Sequence, residues 1–481
     1  YYLAQLMPTQ HRQDIELSDC QRALPAVALA MLVTEIDNIR QAWQQAVAER
    51  RFAELGQAAD GLGHLLGKVG LLREGQELFD RTCVELSAAG APASVLSGLN
   101  IQHAMLCDRH VKYAETAAAA QRALAFATTD LEQARAYLWC GTAQWKLDNL
   151  AAASTMLQQA LQIFRRYQHT DGEANCLHEL GSVAYRQGNL ASAQERWEKA
   201  LALNLQTGCK RRAAGTLNNL SSAYADCGAY QQADACIREG LRLLAEAGGH
   251  PVIQGYLLAN EARVSLLLGD YQNAGLICAH ALEHSRNIQN QELESCMLAQ
   301  QAWLAYYAGA DAQACQLAEA AVVLSQEIRY VYAAGMALPV LGHAQRRQGN
   351  LAAASDSYRA AVQMWEQHAL AAPEFALDSL AGLALISWEQ GQVEEARRQV
   401  NEILDTLARV SWDQEMIAEP VVICLACYDV LVATGDPRAD RVLQQAWRFV
   451  RERADRISDP ALHDRFLDGT AVHRQIMALI N

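Results

Sequence analysis

The 481-residue sequence is poor in proline and has no long apolar run. It holds only 9 prolines and much alanine, which favours helix because proline has the lowest helix propensity and alanine the highest. β-Branched runs of alternating polarity are absent, which argues against a β-sheet protein. The longest apolar segment, 23–33, is too short for a membrane helix, which needs about 18 residues. The composition therefore predicts an all-α protein that does not cross a membrane.

Basic residues are also few, since Lys and Arg total 40 against 54 Asp and Glu, a formal charge of −14. Nucleic-acid binding needs clustered cations, so this balance argues against direct binding of nucleic acid. The 13 cysteines are scattered without the spacing of a disulfide framework, which indicates reduced, buried thiols and a cytoplasmic protein. Cys424 and Cys427 form one C-x-x-C, which we interpret as two buried side chains on one helical face.

Motifs of catalysis and nucleotide binding are missing as well. The sequence has no G-x-x-x-x-G-K-[ST], no G-x-S-x-G and no H-E-x-x-H. The nearest string to a phosphate loop, residues 61–70, has the wrong glycine spacing, and no Ser or Thr follows Lys68. We therefore expect neither enzymatic activity nor a cofactor in this chain.

What the sequence does contain is a repeat of about 40 residues. Segments 180–201, 220–241 and 341–362 align without gaps, each with a turn residue followed five positions later by alanine. Glycine at the turn can adopt positive φ and end the first of two helices. The small residues Ala193, Ala233, Ala274, Ala314, Ala354 and Ala396 are expected where helices touch, and Trp197, Ile237 and Tyr358 are expected to fill the gaps. The pattern predicts about ten helical hairpins with turn residues at Gly70, Val111, Asp148, Gly188, Gly228, Gly269, Gly309, Gly349, Gly391 and Gly435.

This pattern resembles the tetratricopeptide repeat (TPR), whose two-helix units stack into a superhelix. The resemblance covers roughly residues 55–455 and implies a TPR-like α–α solenoid. The usual TPR unit has about 34 residues, so the additional residues are expected in the helices or in the linkers between units.

The flanking segments resemble those of signal-transduction ATPases with numerous domains (STAND). The resemblance implies that residues 1–54 are a helical linker or cap leading from an ATPase core, that 55–455 are the solenoid, and that 456–481 are a capping segment. Because the chain lacks an initiator Met, we expect it to be part of a longer protein in which ATP binds only an upstream domain. The matching residues are Glu35, Asp37, Asn38, Ile39 and Arg40 of E-x-D-N-[LI]-R, and Ile457, Asp459, Pro460, Leu462, Phe466 and Leu467 of I-x-D-P-x-L-x-x-x-F-L.

In a TPR superhelix the first helix of each hairpin lines a concave groove, and positions about 3, 6, 10 and 13 residues before the turn face it. The residues at these positions are rich in aromatic, Asn and Arg side chains. Aromatic rings give rigid apolar contact, Asn can pair with peptide amides and Arg can bind carboxylates. An alternative for each aromatic residue is packing between repeats. The candidate groove residues at these positions are Trp145, His178, Tyr185, Asn218, Arg263, Trp303, His343 and Arg346, and Asn219, Asn260 and Tyr307 are candidates beside them.

The sequence thus predicts a binding module without catalysis. Our first hypothesis is the sensor region of a cytosolic STAND regulator, which takes a protein, a peptide or a small-molecule inducer in the groove and contacts its ATPase core. The alternative is a protein-interaction scaffold without a switching role.

Overall fold

A computed structural model describes Leu3, Leu6 and residues 34–367, 373–409 and 420–480. Within these ranges every regular element is helical. A 3₁₀ helix at Pro373–Ala376 precedes α18. The α-helices are α1 (Ile36–Ala48), α2 (Phe52–Lys68), α3 (Leu72–Ala88), α4 (Ala93–Arg109), α5 (Tyr113–Phe126), α6 (Asp130–Lys146), α7 (Leu150–Arg166), α8 (Thr170–Arg186), α9 (Leu190–Gln206), α10 (Lys210–Asp226), α11 (Tyr230–Glu246), α12 (Pro251–Leu267), α13 (Tyr271–Asn287), α14 (Gln291–Tyr307), α15 (Asp311–Ile328), α16 (Val331–Arg347), α17 (Leu351–Gln367), α18 (Leu377–Glu389), α19 (Val393–Leu407), α20 (Pro420–Ala433), α21 (Ala439–Ala454), α22 (Pro460–Gly469) and α23 (Ala471–Ile480).

Helices α2 to α21 form ten successive hairpins, in each of which we call the first helix A and the second helix B. All ten predicted turn residues lie between an A and a B helix with positive φ, from 61° at Val111 to 81° at Gly349. The residue after the turn closes the A helix: the Asn350 amide donates to the Gln345 carbonyl at 2.9 Å. The predicted hairpins and their turns are therefore confirmed.

The 40-residue spacing has a simple origin in helix length. Helices α8, α9 and α10 each have 17 residues and are joined by connections of three. Two such helices with two connections make one unit. A second positive-φ residue follows several of the B helices, as Gly208 does after α9.

Small and large residues alternate at the helix contacts as predicted. The six alanines five residues after turns, Ala193 among them, are fully buried. Tyr358 is also fully buried and occupies a slot between two glycines. A Cβ atom on Gly342 would lie 2.4 Å from the Tyr358 ring, and one on Gly382 would lie 2.2 Å from it. Only glycine at both positions leaves room for this ring.

The chain divides into two compact units. Unit 1 comprises residues 1–187 and 192–213, and unit 2 comprises residues 188–191 and 214–481. In unit 2, the A helices α12, α14, α16, α18 and α20 contact one another in series. Residues 453–469 of unit 2 also contact the turns at Gly228 and Gly269.

At the N-terminal side, α1 packs on the first hairpin. Trp43 is fully buried, and its indole N–H donates to the Thr82 hydroxyl at 3.0 Å. The domain boundaries given above remain predictions, and most of residues 1–33 lie outside the described residues. No helix in the described part combines the length and apolar character needed to cross a membrane.

Candidate functional site

Four polar residues on two successive A helices of unit 2 form an asparagine cluster, which consists of Asn218, Asn219, Ser222 and Asn260. The Asn260 Nδ2 atom donates to Asn218 Oδ1 at 3.0 Å and to the Asn218 carbonyl at 3.1 Å. Its Oδ1 atom accepts from the Ser222 hydroxyl at 3.1 Å, and Asn218 donates to Asn219 at 3.1 Å. All four side chains are half-buried. The structure therefore brings the three predicted asparagines together on a partly accessible surface.

The two predicted arginines of unit 2 are paired with carboxylates of this chain. Arg263 bonds the buried carboxylate of Asp226 on the preceding A helix. Arg346 Nη1 lies 2.5 Å from Glu389 Oε1 on the following A helix. A ligand carboxylate would therefore have to compete with Asp226 or Glu389 for these guanidinium groups.

Pairs like Asp226–Arg263, which are 37 residues apart, recur in unit 1 at nearly the same spacing. Lys146 donates to Asp108 at 2.6 Å, and Arg186 bonds Asp148. The acid lies near the end of one A helix and the base near the end of the next, 38 residues later. A sequence search for an acidic residue followed by a basic one after 37 or 38 positions would have found this ladder.

A second group of side chains in unit 2, which we call the aromatic cluster, consists of Tyr271 on α13 and of Trp303, Tyr306 and Tyr307 on α14. The Trp303 ring lies 5.6 Å from that of Tyr307 and 6.0 Å from that of Tyr306. Tyr271, on a B helix, stacks on Tyr307 at 5.4 Å and was not identified from the sequence. The guanidinium of Arg347 lies 4.1 Å from the centre of the Tyr306 ring, and burial raises the pKa of Tyr306. The cluster is half-buried and could contact an apolar side chain.

His343 was expected on the open surface, but the structure buries it, with 5 % of the residue exposed. Its Nε2 atom lies 3.1 Å from both carboxylate oxygens of Asp378, and its Nδ1 atom lies 2.7 Å from the Tyr358 hydroxyl. Asp378 and Tyr358 are buried as well. His343 therefore joins three helices in the core, because both ring nitrogens find partners there.

The three candidates in unit 1 lie on α6 and α8 and are half-buried. The Trp145 indole donates to Glu179 at 2.6 Å, and the Tyr185 ring lies 5.5 Å from that of Trp197. Burial lowers the pKa of His178, which favours its neutral form. The Trp145 contact, between α6 and α8, supports the alternative of packing between repeats, whereas the Tyr185 contact, between α8 and α9, lies within one hairpin.

A cavity of about 740 Å³ lies elsewhere, between α17, α18 and α19. Val362, Leu380 and Ile386 give it an apolar wall, and Arg359 and Arg398 stand among its polar residues. None of the eleven candidate groove residues lines it. The cavity is therefore separate from the candidate groove residues.

The C-x-x-C thiols are buried as predicted, with 2 % of Cys424 and 1 % of Cys427 exposed. Burial raises the pKa of Cys427 to about 12, so its thiol stays protonated near neutral pH. Among the described residues, no group of three or more His, Cys, Asp or Glu side chains is arranged to hold a metal ion.

The residues of the two flanking motifs have defined structural roles. Arg40 bonds Glu74 on α3, with Nη2 and Oε2 2.6 Å apart, while Ile39 is fully buried. Asp459 caps α22 by accepting from the amides of Ala461 and Leu462. The first motif therefore ties α1 to α3, and the second begins α22.

Comparison with known proteins agrees with this architecture. Tetratricopeptide repeat models match residues 132–206 and 213–247. A solved Rap protein complexed with Competence and Sporulation Factor has a TM-score of 0.53 at 12 % identity, and the match covers 80 % of this chain and 97 % of that one. The fold is a TPR-like solenoid.

Other TPR-like structures show the same likeness. The apo form of the quorum sensor NprR from B. thuringiensis has a TM-score of 0.50 at 14 % identity, and the match covers 70 % of this chain and 95 % of that one. A STAND protein with a TPR sensor from Pyrococcus horikoshii has a TM-score of 0.47 at 15 % identity and 65 % and 50 % coverage, so it does not bear on the regulator hypothesis. No curated protein matches this sequence.

Proposed function

We propose that this chain is a non-catalytic sensor module that binds a peptide or a protein segment on the A helices of unit 2. The observation that carries the proposal is the asparagine cluster on α10 and α12, followed by the aromatic cluster centred on α14. TPR repeats are protein-binding modules, and the Rap protein of similar fold carries a bound factor. The fold is therefore suited to holding a ligand, and the two clusters supply the chemistry.

The two clusters complement different parts of a peptide. Asn amides donate to peptide carbonyls and accept from peptide N–H groups, so Asn218 and Asn260 could pair with an extended backbone. Trp303 and Tyr307 offer large, rigid surfaces to an apolar side chain at a low cost in conformational entropy. A small-molecule inducer with the same two chemical features would use the same residues.

We expect the loss of either cluster to weaken peptide binding. Peptides selected from a phage-displayed random library on the 481-residue chain should bind Asn260→Ala and Trp303→Ala about 30-fold or more weakly, since truncation of a central contact residue costs about 2 kcal/mol or more. Fluorescence anisotropy with labelled peptides measures the change in Kd.

Matched controls are Leu276→Ala and Val323→Ala, on the B helices α13 and α15, whose side chains are 68 % and 54 % exposed. They should leave Kd unchanged, and circular dichroism should show all four variants folded. Equal affinity of the site variants and the wild type would show that the asparagine and aromatic clusters are not part of the binding site.

The regulatory part of the proposal rests on the flanking motifs. We propose that the module belongs to a cytosolic STAND regulator, contacts an upstream ATPase core and restrains it until ligand binds. The parent gene should then encode G-x-x-x-x-G-K-[ST] upstream of Tyr1, and ATP should bind that region. Micromolar ATP binding by the 481-residue chain alone, measured by equilibrium dialysis, would contradict this assignment. A scaffold without a switching role remains the second candidate, favoured if no such region is found.

A further inference from the structure

The C-terminal residues 453–469 fold back onto turns far earlier in the chain, all within unit 2. Their hydrogen-bond partners lie between 195 and 229 residues earlier in the sequence. One group of contacts surrounds Gly228, between α10 and α11, and the other surrounds Gly269, between α12 and α13. Unit 2 therefore has a direct connection between its last helices and its first hairpins.

At the first turn, two arginines cap the C-terminal end of α10. Arg453 Nη2 donates to the Asp226 carbonyl at 2.6 Å, and Arg456 Nη1 donates to the Cys227 carbonyl at 2.6 Å. Carbonyls at the end of a helix lack partners within it and carry partial negative charge, which a guanidinium neutralises. Arg453 Nη1 also lies 3.1 Å from the Tyr230 hydroxyl.

At the second turn, the contact is both ionic and close. Arg465 Nη1 lies 2.5 Å from Asp270 Oδ2. A Cβ atom on Gly269 would lie 3.0 Å from the Gly469 Cα atom, so the two backbones touch. Between the turns, Phe466 packs on the Tyr230 ring at 5.6 Å and is 2 % exposed.

Asp226 connects the C-terminal residues to the candidate site. Its carboxylate bonds Arg263, one of the predicted binding residues, while its backbone carbonyl accepts from Arg453. A displacement of Arg263 from Asp226 would therefore act on the end of α10 that the C-terminal arginines cap.

We propose that residues 453–469 are a latch that fixes the curvature of unit 2, and that an acidic ligand group drawing Arg263 away from Asp226 releases it. In a solenoid, small rotations between neighbouring repeats add up, and a contact between distant repeats opposes that motion. The ligand step rests on the proposed function, whereas the latch itself does not.

Hydrogen exchange of the 481-residue chain, followed by mass spectrometry, tests the latch without any ligand. In the Arg453→Ala/Arg456→Ala variant, peptides covering 226–231 and 457–469 should exchange about tenfold faster than in the wild type, a factor typical of coupled sites. The amide of Ser458, which donates to Gln231 Oε1 at 3.3 Å, is a direct reporter. The control is Arg451→Ala, whose guanidinium is exposed and pairs at 3.7 Å with Asp455, the residue that follows the same helix. Unchanged exchange at 226–231 would overturn the latch.

A second pair of variants tests the latch independently, in case Arg453→Ala/Arg456→Ala fails to fold. Gly228 and Gly349 both have positive φ, so alanine brings similar backbone strain at either position. A Cβ atom on Gly228 would lie 2.7 Å from Arg453 Cγ, whereas nothing lies within 4 Å of one on Gly349. Gly228→Ala should accelerate exchange at 457–469, and Gly349→Ala should not. Equal rates in the two variants would count against the latch.

The connection to the site is tested by comparing Arg263→Ala with Arg346→Ala. Both remove a guanidinium paired with an acid, but only the partner of Arg263 contacts the latch. Arg263→Ala should accelerate exchange at 457–469 several-fold, and Arg346→Ala should leave it unchanged. No effect of Arg263→Ala would overturn the coupling, while equal affinity of the selected peptides for the wild type, Asn260→Ala and Trp303→Ala would instead count against the proposed function.

Discussion

At the scale of single residues, the repeat depends on one backbone conformation. The turn residue of each hairpin has positive φ, which glycine adopts freely and which costs other residues about 1–2 kcal/mol. Two hairpins depart from glycine, with Val111 at 61° and Asp148 at 62°. Asp tolerates this conformation better than a β-branched residue does. The hairpin at Val111 is therefore the one that carries the most backbone strain at its turn.

We expect Val111→Gly to raise the free energy of unfolding by up to ~1 kcal/mol, because it relieves that strain at some cost in unfolded-state entropy. The Val111 side chain is 52 % exposed, so little packing is lost. Urea unfolding followed by circular dichroism measures the change. Gly349→Val is the reverse test at the equivalent position, where nothing lies within 4 Å of a Cβ atom, and it should destabilise by a similar amount. Destabilisation by Val111→Gly would contradict the strain argument.

At the scale of helices, the last two depend on one buried histidine. His473 on α23 is 8 % exposed, and its Nδ1–H donates to the Phe466 carbonyl of α22 at 2.6 Å. Burial lowers the pKa of His473 from 6.5 to about 4, although the hydrogen bond to Phe466 acts in the opposite direction. The two helices are therefore held together by a neutral imidazole.

This contact should weaken in acid. As the pH falls below 6.5, the unfolded chain takes up a proton that folded His473 accepts only near pH 4. The stability that depends on His473 is therefore present above pH 6.5 and is lost towards pH 4, by up to roughly 3 kcal/mol at the acid end. Urea unfolding between pH 7.5 and pH 4.5 should show a steeper loss in the wild type than in His473→Gln. Identical pH dependence in the two proteins would show that His473 does not titrate in this way.

At the scale of the whole molecule, the repeats contact mainly their neighbours, so a local defect should stay local. Gly382→Ala would place a Cβ atom 2.2 Å from the buried Tyr358 ring, an overpacking that typically costs about 1–3 kcal/mol. We expect faster hydrogen exchange in α16–α19 and unchanged exchange in α4–α7 of unit 1. Gly275→Ala on α13, where nothing lies within 4 Å of a Cβ atom, is the control. Faster exchange throughout the chain would mean that the repeats unfold as one cooperative block.

The candidate site could be predicted from the sequence only in part. Helical spacing selected Asn218 and Trp303, and their neighbours Asn219, Asn260 and Tyr307 were added beside the selected positions. The structure brings the three asparagines together and places Trp303 and Tyr307 in one aromatic cluster. The same spacing selected His343, which is buried. Position on a helix gives the direction of a side chain but not what the next helix places against it. The spacing rule also missed Tyr271, because it considered only A helices and Tyr271 contacts Tyr307 from a B helix.

The sequence by itself determined the ten hairpins, their turns and the buried alanines. Each of these depends on local properties, namely which residue can adopt positive φ, which residues favour helix and which side chains are small. The tertiary structure alone decided that residues 453–469 reach the turns at Gly228 and Gly269. Those contacts depend on small rotations between successive repeats, which accumulate over more than 190 residues of chain and leave no local pattern in the sequence.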